Sequence, residues 1–270
     1  MEKEMTDLAT LSSIEGTLAR PKSLDPMDRA GKEDIGRDEI QLPSLTVAQG
    51  LHPQLVPGEP QYIKGLVIGT MFNNVTEEIY GNGPLLVVPV YRHVTRLEFD
   101  KTDRKVVLDR AVPAGDPRLR WSRGTGPSGE DEPPAATEFV EFVSLLLQPG
   151  KEPERLIVSI KTSNKEMRSA AKLWTTYIDQ RSGPIYSGLY RLTSQMIKGK
   201  SKKTGQDTLY GVFVVKNAGY IPTDTPAGKA LFDYAKTFYE ASVGKKVAAD
   251  REPDDPTSFD PDAIDAEAGM

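Results

Sequence analysis

Residues 84–99, PLLVVPVYRHVTRLEF, constrain the fold more than any other stretch of this chain. The run is rich in β-branched side chains, which are stiff about the first torsion and fit a pleated strand better than a helix. It ends in an alternation of Val94, Arg96 and Glu98 against Thr95, Leu97 and Phe99, the period of two that a strand imposes. Residues 105–112 read as its neighbour across a turn at 100–104. Further strands are expected at 62–72, where apolar residues alternate with small or polar ones, and at 138–147 and 155–161. Upstream, Ile40, Leu42, Leu45 and Val47 surround Pro43 and open the patterned part of the chain.

Two segments carry a helical period instead. In 164–180 the apolar positions Met167, Ala170, Ala171, Trp174, Tyr177 and Ile178 recur at spacings of three and four, with Ser163 or Asn164 available as a cap. Residues 225–243 form a second amphipathic helix, with Pro226 in its first turn and Gly244 at its end. Between the two helices, 185–197 and 208–221 make a hairpin joined by a basic turn at 198–207. About eight strands and two helices, without regular strand–helix alternation, point to a mainly β chain of the α+β class. The expected architecture is an OB-fold-like antiparallel barrel or curved sheet. The organisation read from the sequence is a flexible N-terminal arm at 1–38, a folded body at 39–244 and a disordered acidic tail at 245–270. Within the body, 113–136 is a long Gly/Pro-rich loop, a kind of segment that is usually functional or disordered.

Charge is distributed unevenly. The chain carries a net −5, yet residues 250–270 hold eight acids against the single base Arg251, and removing that −7 leaves the remainder at +2. Residues 150–249 hold 17 Lys and Arg against 8 Asp and Glu, so this third of the chain is strongly basic. The tail has too much proline and like charge to fold. The absence of cysteine excludes disulfides, thiolate metal sites and cysteine nucleophiles, and suits a reducing compartment. The acidic N-terminus and the lack of a long apolar run lead us to expect a cytoplasmic protein with no membrane partner.

Catalytic chemistry is sparse. The only histidines, His52 and His93, lack a second ligand at helical spacing and are read as structural. Gly124, Gly126 and Gly129 spell a dinucleotide-binding pattern but run into Glu130, Asp131, Glu132 and two prolines, so they belong to a loop. Gly199, Lys200 and Ser201 imitate the end of a phosphate loop whose first glycine is replaced by Ser194. The acid pairs Glu77–Glu78 and Glu130–Glu132 sit in polar, turn-like context and read as solvated surface. We therefore expect no enzyme, no metal and no cofactor.

Basic residues interleaved with aromatics remain. A groove of positive charge that tracks phosphates, with aromatic faces on which bases stack, is how single-stranded nucleic acid is bound without sequence readout. Three groups are candidates: Tyr91, Arg92 and Arg96 on the long strand; Arg120, Trp121 and Arg123 on the loop; and Tyr186, Tyr190, Arg191, Lys198, Lys200, Lys202, Lys203 and Tyr210 around the basic hairpin. The tail supplies a candidate partner-binding segment in Asp254, Asp255, Phe259, Asp260, Asp262, Ile264 and Asp265, able to compete with phosphates for the basic body and to anchor other proteins through its apolar residues.

The ordered set IQLPSLTVAQGL, GLVIGTMFN, PLLVVPVYRHVTRLEF and IYSGLYRLTSQMIKGKSKKTGQDTLYGVFVVKNAGYI, followed by a helix and an acidic end, resembles the single-stranded DNA-binding proteins of tailed bacteriophages over about residues 40–243. The resemblance implies an OB-fold core, coating of exposed strands in phage replication or recombination, and tail contacts with replication or recombination proteins. It also implies a place in the host cytoplasm. Many such tails finish near an aromatic residue, whereas this one finishes in Ala-Gly-Met. Self-association is a further expectation, and a phage structural or assembly role is the alternative from a different class.

Overall fold

The computed structural model of the chain describes residues 43–50, 52–100, 107–120, 134–162, 165–200 and 207–243. The arm at 1–38, residues 121–133 of the long loop and the tail at 245–270 lie outside the described residues.

Among the described residues nine strands form one sheet: β1 (Ser44–Val47), β2 (Met71–Asn73), β3 (Ile79–Gly81), β4 (Leu85–Phe99), β5 (Val107–Asp109), β6 (Ala136–Leu147), β7 (Glu154–Lys161), β8 (Gly188–Lys200) and β9 (Asp207–Tyr220). Their order is β3-β2-β1-β7-β6-β4-β8-β9, with β5 paired to the end of β4. All pairs are antiparallel except β1 with β7, a parallel contact that the antiparallel expectation did not include. Two α-helices among the described residues, α1 (Lys165–Asp179) and α2 (Pro226–Val243), pack on this sheet.

The sheet curls strongly into a half-barrel. Its inner face joins Leu45 and Met71, near one end of the strand order, to Phe213 and Val215 at the other, a meeting that a flat sheet of this width does not allow. Trp174 of α1 fills this concavity. It is fully buried and stacks on Phe142 of β6 at 4.0 Å and 21°. The outer face packs Leu86, Val88, Val90, Val143 and Leu145 against Leu231, Ala235 and Phe238 of α2. The period of two thus sends alternate residues of β4 and β6 under different helices, which is why 85–90 of β4 and, apart from Ser144, 142–147 of β6 are apolar at consecutive positions.

The curl is held by side chains where the backbone ladder stops. The Gln49 amide donates through Nε2 to the Gly211 carbonyl and accepts from the Gly211 N–H through Oε1, both at 2.9 Å, so it pairs with β9 as a peptide of a neighbouring strand would. Ser194 Oγ donates to the Gly69 carbonyl at 2.6 Å. Glycine is required at 211 because a Cβ there would run into Val47.

Two expectations are corrected. Residues 62–72 are strand only from Met71; Gly65 and Gly69 take positive φ of 88° and 83°, and the segment folds into successive turns that bury Ile63 and Leu66 over Phe72. The hairpin strands reach further than expected, so Lys198 and Lys200 stand on β8, opposite Leu209 and Asp207, and not in the turn.

Candidate nucleic-acid interface

A bulge between Pro89 and Tyr91 decides how the β4 candidates are arranged. Before it, Leu86, Val88 and Val90 face outward; after it Tyr91 does, and Arg92, Val94 and Arg96 take the inner side. The extra residue flips the parity, as a bulge must. Tyr91 is half-buried against the outer core and stacks on His93 at 5.6 Å. Arg92 donates through Nε to Thr175 Oγ1 of α1 at 3.1 Å, and Arg96 pairs with Glu138, its cross-strand partner, at 2.8 Å. His93 Nε2 lies 2.7 Å from Oε2 of the buried Glu141, which also accepts from Thr95 Oγ1 at 2.7 Å.

The loop entry is tied down by Arg118. Its guanidinium bonds Asp116, Glu98 and Asp109 together, linking the turn Pro117–Leu119 to the ends of β4 and β5. The hydrogen bonds from Arg118, with its charge, hold the Asp116 carboxyl below its ordinary range. Arg120 follows, exposed, while Trp121 and Arg123 lie outside the described residues.

The hairpin group divides in three. Tyr190 is fully buried beside Trp174 and beneath the Arg181 guanidinium at 4.6 Å, so its ring has no face to offer a base. Burial pushes its hydroxyl up to about 12, partly offset by Arg181. Tyr186 is half-buried between Phe232 and Tyr239 of α2, each at 5.3 Å. Tyr210 is buried and donates its hydroxyl to Glu166 of α1 at 2.7 Å; burial first, then Glu166, raises its pKa to about 12. These three tyrosines are packing residues. Arg191 is half-buried in β8, opposite Leu86 and Lys216. Lys198 is exposed, and Lys200 ends the strand. Lys202, Lys203 and the tail candidates Asp254, Asp255, Phe259, Asp260, Asp262, Ile264 and Asp265 lie outside the described residues.

The structure therefore separates the candidates. Tyr91 and Tyr186 share the outer face, Arg92 and Arg96 the inner face, and Lys198 extends along the ribbon of β8 and β9. The ribbon is bordered by α1. Tyr210 holds the start of that helix, and Arg181, just beyond its end, donates to the Gly219 carbonyl and to Asn217 Oδ1, so helix and β9 run side by side in the same direction. The sequence reading missed that α1 presents Lys165, Arg168 and Lys172 to solvent; their spacings of three and four, opposite Trp174, were the available signal. Among the described residues no group of three His, Asp or Glu is placed to hold a metal ion. No described helix is long and apolar enough to cross a membrane.

No curated protein and no solved structure matches the chain. A family model does, over residues 14–248, which takes in the sheet, both helices and the basic ribbon. That span is most of the molecule, and on it the chain belongs to the Pam3 phage gp34-like protein family.

Proposed function

We propose that this phage-family protein binds single-stranded DNA with little base preference, coating exposed strands in replication or recombination. The acidic tail would compete for the same basic surface and recruit partner proteins. The reading assigns no reaction and no cofactor. The observation that carries it is the long two-stranded ribbon of β8 and β9, on which Lys198 is exposed and Lys200 ends β8; the sequence that follows adds Lys202 and Lys203. Cations spaced along a strand can follow a phosphate backbone, and each phosphate neutralised releases counterions. Because α1 fills the concave side of the sheet, the strand would run over the ribbon and its flank and not through the half-barrel. The test is a fluorescence-anisotropy titration of labelled oligo-dT and of a duplex of equal length. Preference for the single strand supports the reading, and absence of binding at low salt rejects it.

A second reading is favoured by one feature. The turns at 56–68 expose Val56, Tyr62, Val67 and Ile68, with Val67 at 61%. Apolar residues displayed together suit a phage assembly protein that packs against other subunits. Salt-insensitive self-association without DNA, measured by sedimentation velocity, would favour it.

A further inference from the structure

Helix α1 has two chemically distinct sides. At 100° per residue, Met167, Ala171, Trp174 and Ile178 fall on the side that enters the half-barrel, and all four belong to or pack on the inner core. Opposite them lie Lys165, Arg168, Ser169, Lys172 and Thr176, all exposed. The acids of the helix stand apart from the middle of this face: Glu166 is engaged by Tyr210, and Asp179 is the last residue. None of the three cations forms an ion pair with a described residue; Arg168 donates through Nε to the Thr162 carbonyl at 3.0 Å. Elsewhere Arg96, Arg118 and Lys151 are neutralised by carboxylates. Ser169 and Thr176 donate their hydroxyl protons to the carbonyls four residues back, which leaves their oxygens facing solvent and keeps the face free of bulk.

From these observations we infer that the outer face of α1 is a phosphate-binding strip, formed by Lys165, Arg168 and Lys172, that continues the basic ribbon and takes the sugar–phosphate backbone of the same strand. The inference rests on the proposed single-strand binding and specifies where that strand goes after it leaves Lys198. Helix geometry sets Lys165 and Lys172 about 10 Å apart along the axis, with Arg168 between them, a spacing that spans successive phosphates of an extended strand. The bond from Tyr210 to Glu166 fixes the start of the strip against β9, the strand that pairs with the one bearing Lys198. Leu173, 42% exposed at the margin of the strip, adds an apolar edge on which a base can rest.

The experiment uses the full chain and labelled oligo-dT over a salt series, comparing wild type with a triple variant, Lys165→Ala, Arg168→Ala and Lys172→Ala. The slope of log affinity against log salt should fall by about 2 units, since each phosphate contact to a single strand contributes about 0.7. An unchanged slope in a variant that still binds overturns the strip while leaving the single-strand reading intact; wild type that fails to bind rejects that reading itself. A readout independent of the variant is amine acylation of the wild type with and without oligo-dT. Lys165 and Lys172 should be protected, and Lys229 and Lys236 on α2, on the opposite face of the sheet, should not. Equal labelling of all four lysines with bound DNA would overturn the assignment.

Discussion

The cations at the end of β4 and those along α1 and β8 differ in what they face. Arg92 bonds Thr175, Arg96 pairs with Glu138, and Arg118 draws Asp116, Glu98 and Asp109 together. Lys165, Lys172 and Lys198 are exposed, and none of them forms an ion pair with a described residue. Arg96 and Arg118 use their charge within the fold and Arg92 is tethered to a hydroxyl, whereas the second set leaves its charge to solvent. A basic residue in a sequence is therefore not yet a phosphate contact; its availability is set by the carboxylates that the topology brings beside it.

The contrast breaks most readily where the exposed set is mounted. Trp174→Ala removes the fully buried ring that seats α1, a class of truncation that costs about 3–5 kcal/mol. Chemical denaturation should show that loss; a cost under about 1 kcal/mol would mean that the helix is held by other contacts. Replacing Lys198, Lys200, Lys202 and Lys203 with Ala should lower the salt slope by about 3 units while leaving the melting temperature unchanged. An unchanged slope would take the hairpin tip out of the interface. Arg118→Ala should do the reverse, with a lower melting temperature from three carboxylates left without their partner and the same affinity for oligo-dT. Weaker binding at unchanged stability would move Arg118 into the functional set.

A smaller effect concerns pH. The folded pKa of Tyr210 is raised to about 12 from an ordinary value near 10, burial being the main cause and Glu166 the next. A raised pKa means that its contribution to stability is complete below pH 10 and is lost as the pH rises through about 12. Tyr210→Phe should flatten the alkaline part of the stability profile, and an identical profile would show that another group governs that limb.

Much of the fold was legible in the sequence because both faces of β4 and β6 are buried and both helices keep one apolar stripe. Trp174 could be read as core from its spacing alone. Residues 62–72 misled because Gly65 and Gly69 turn an alternating pattern into turns, and nothing in the pattern itself announces a positive φ. The site was less legible. The bulge after Pro89 reverses which side Arg92 and Arg96 occupy, and the partners of Tyr190 and Tyr210 lie on α1 or just beyond it, where no strand pattern points to them. Lys165, Arg168 and Lys172 were visible as a helical stripe, but only the burial of the opposite side shows which way the stripe points.

The most direct test is the salt dependence of oligo-dT affinity for the wild-type chain. If exposed, unneutralised cations on the ribbon and on α1 form the interface, log affinity should fall linearly with log salt with a slope of about −5. Affinity that does not change with salt, or no affinity at all, would contradict the account.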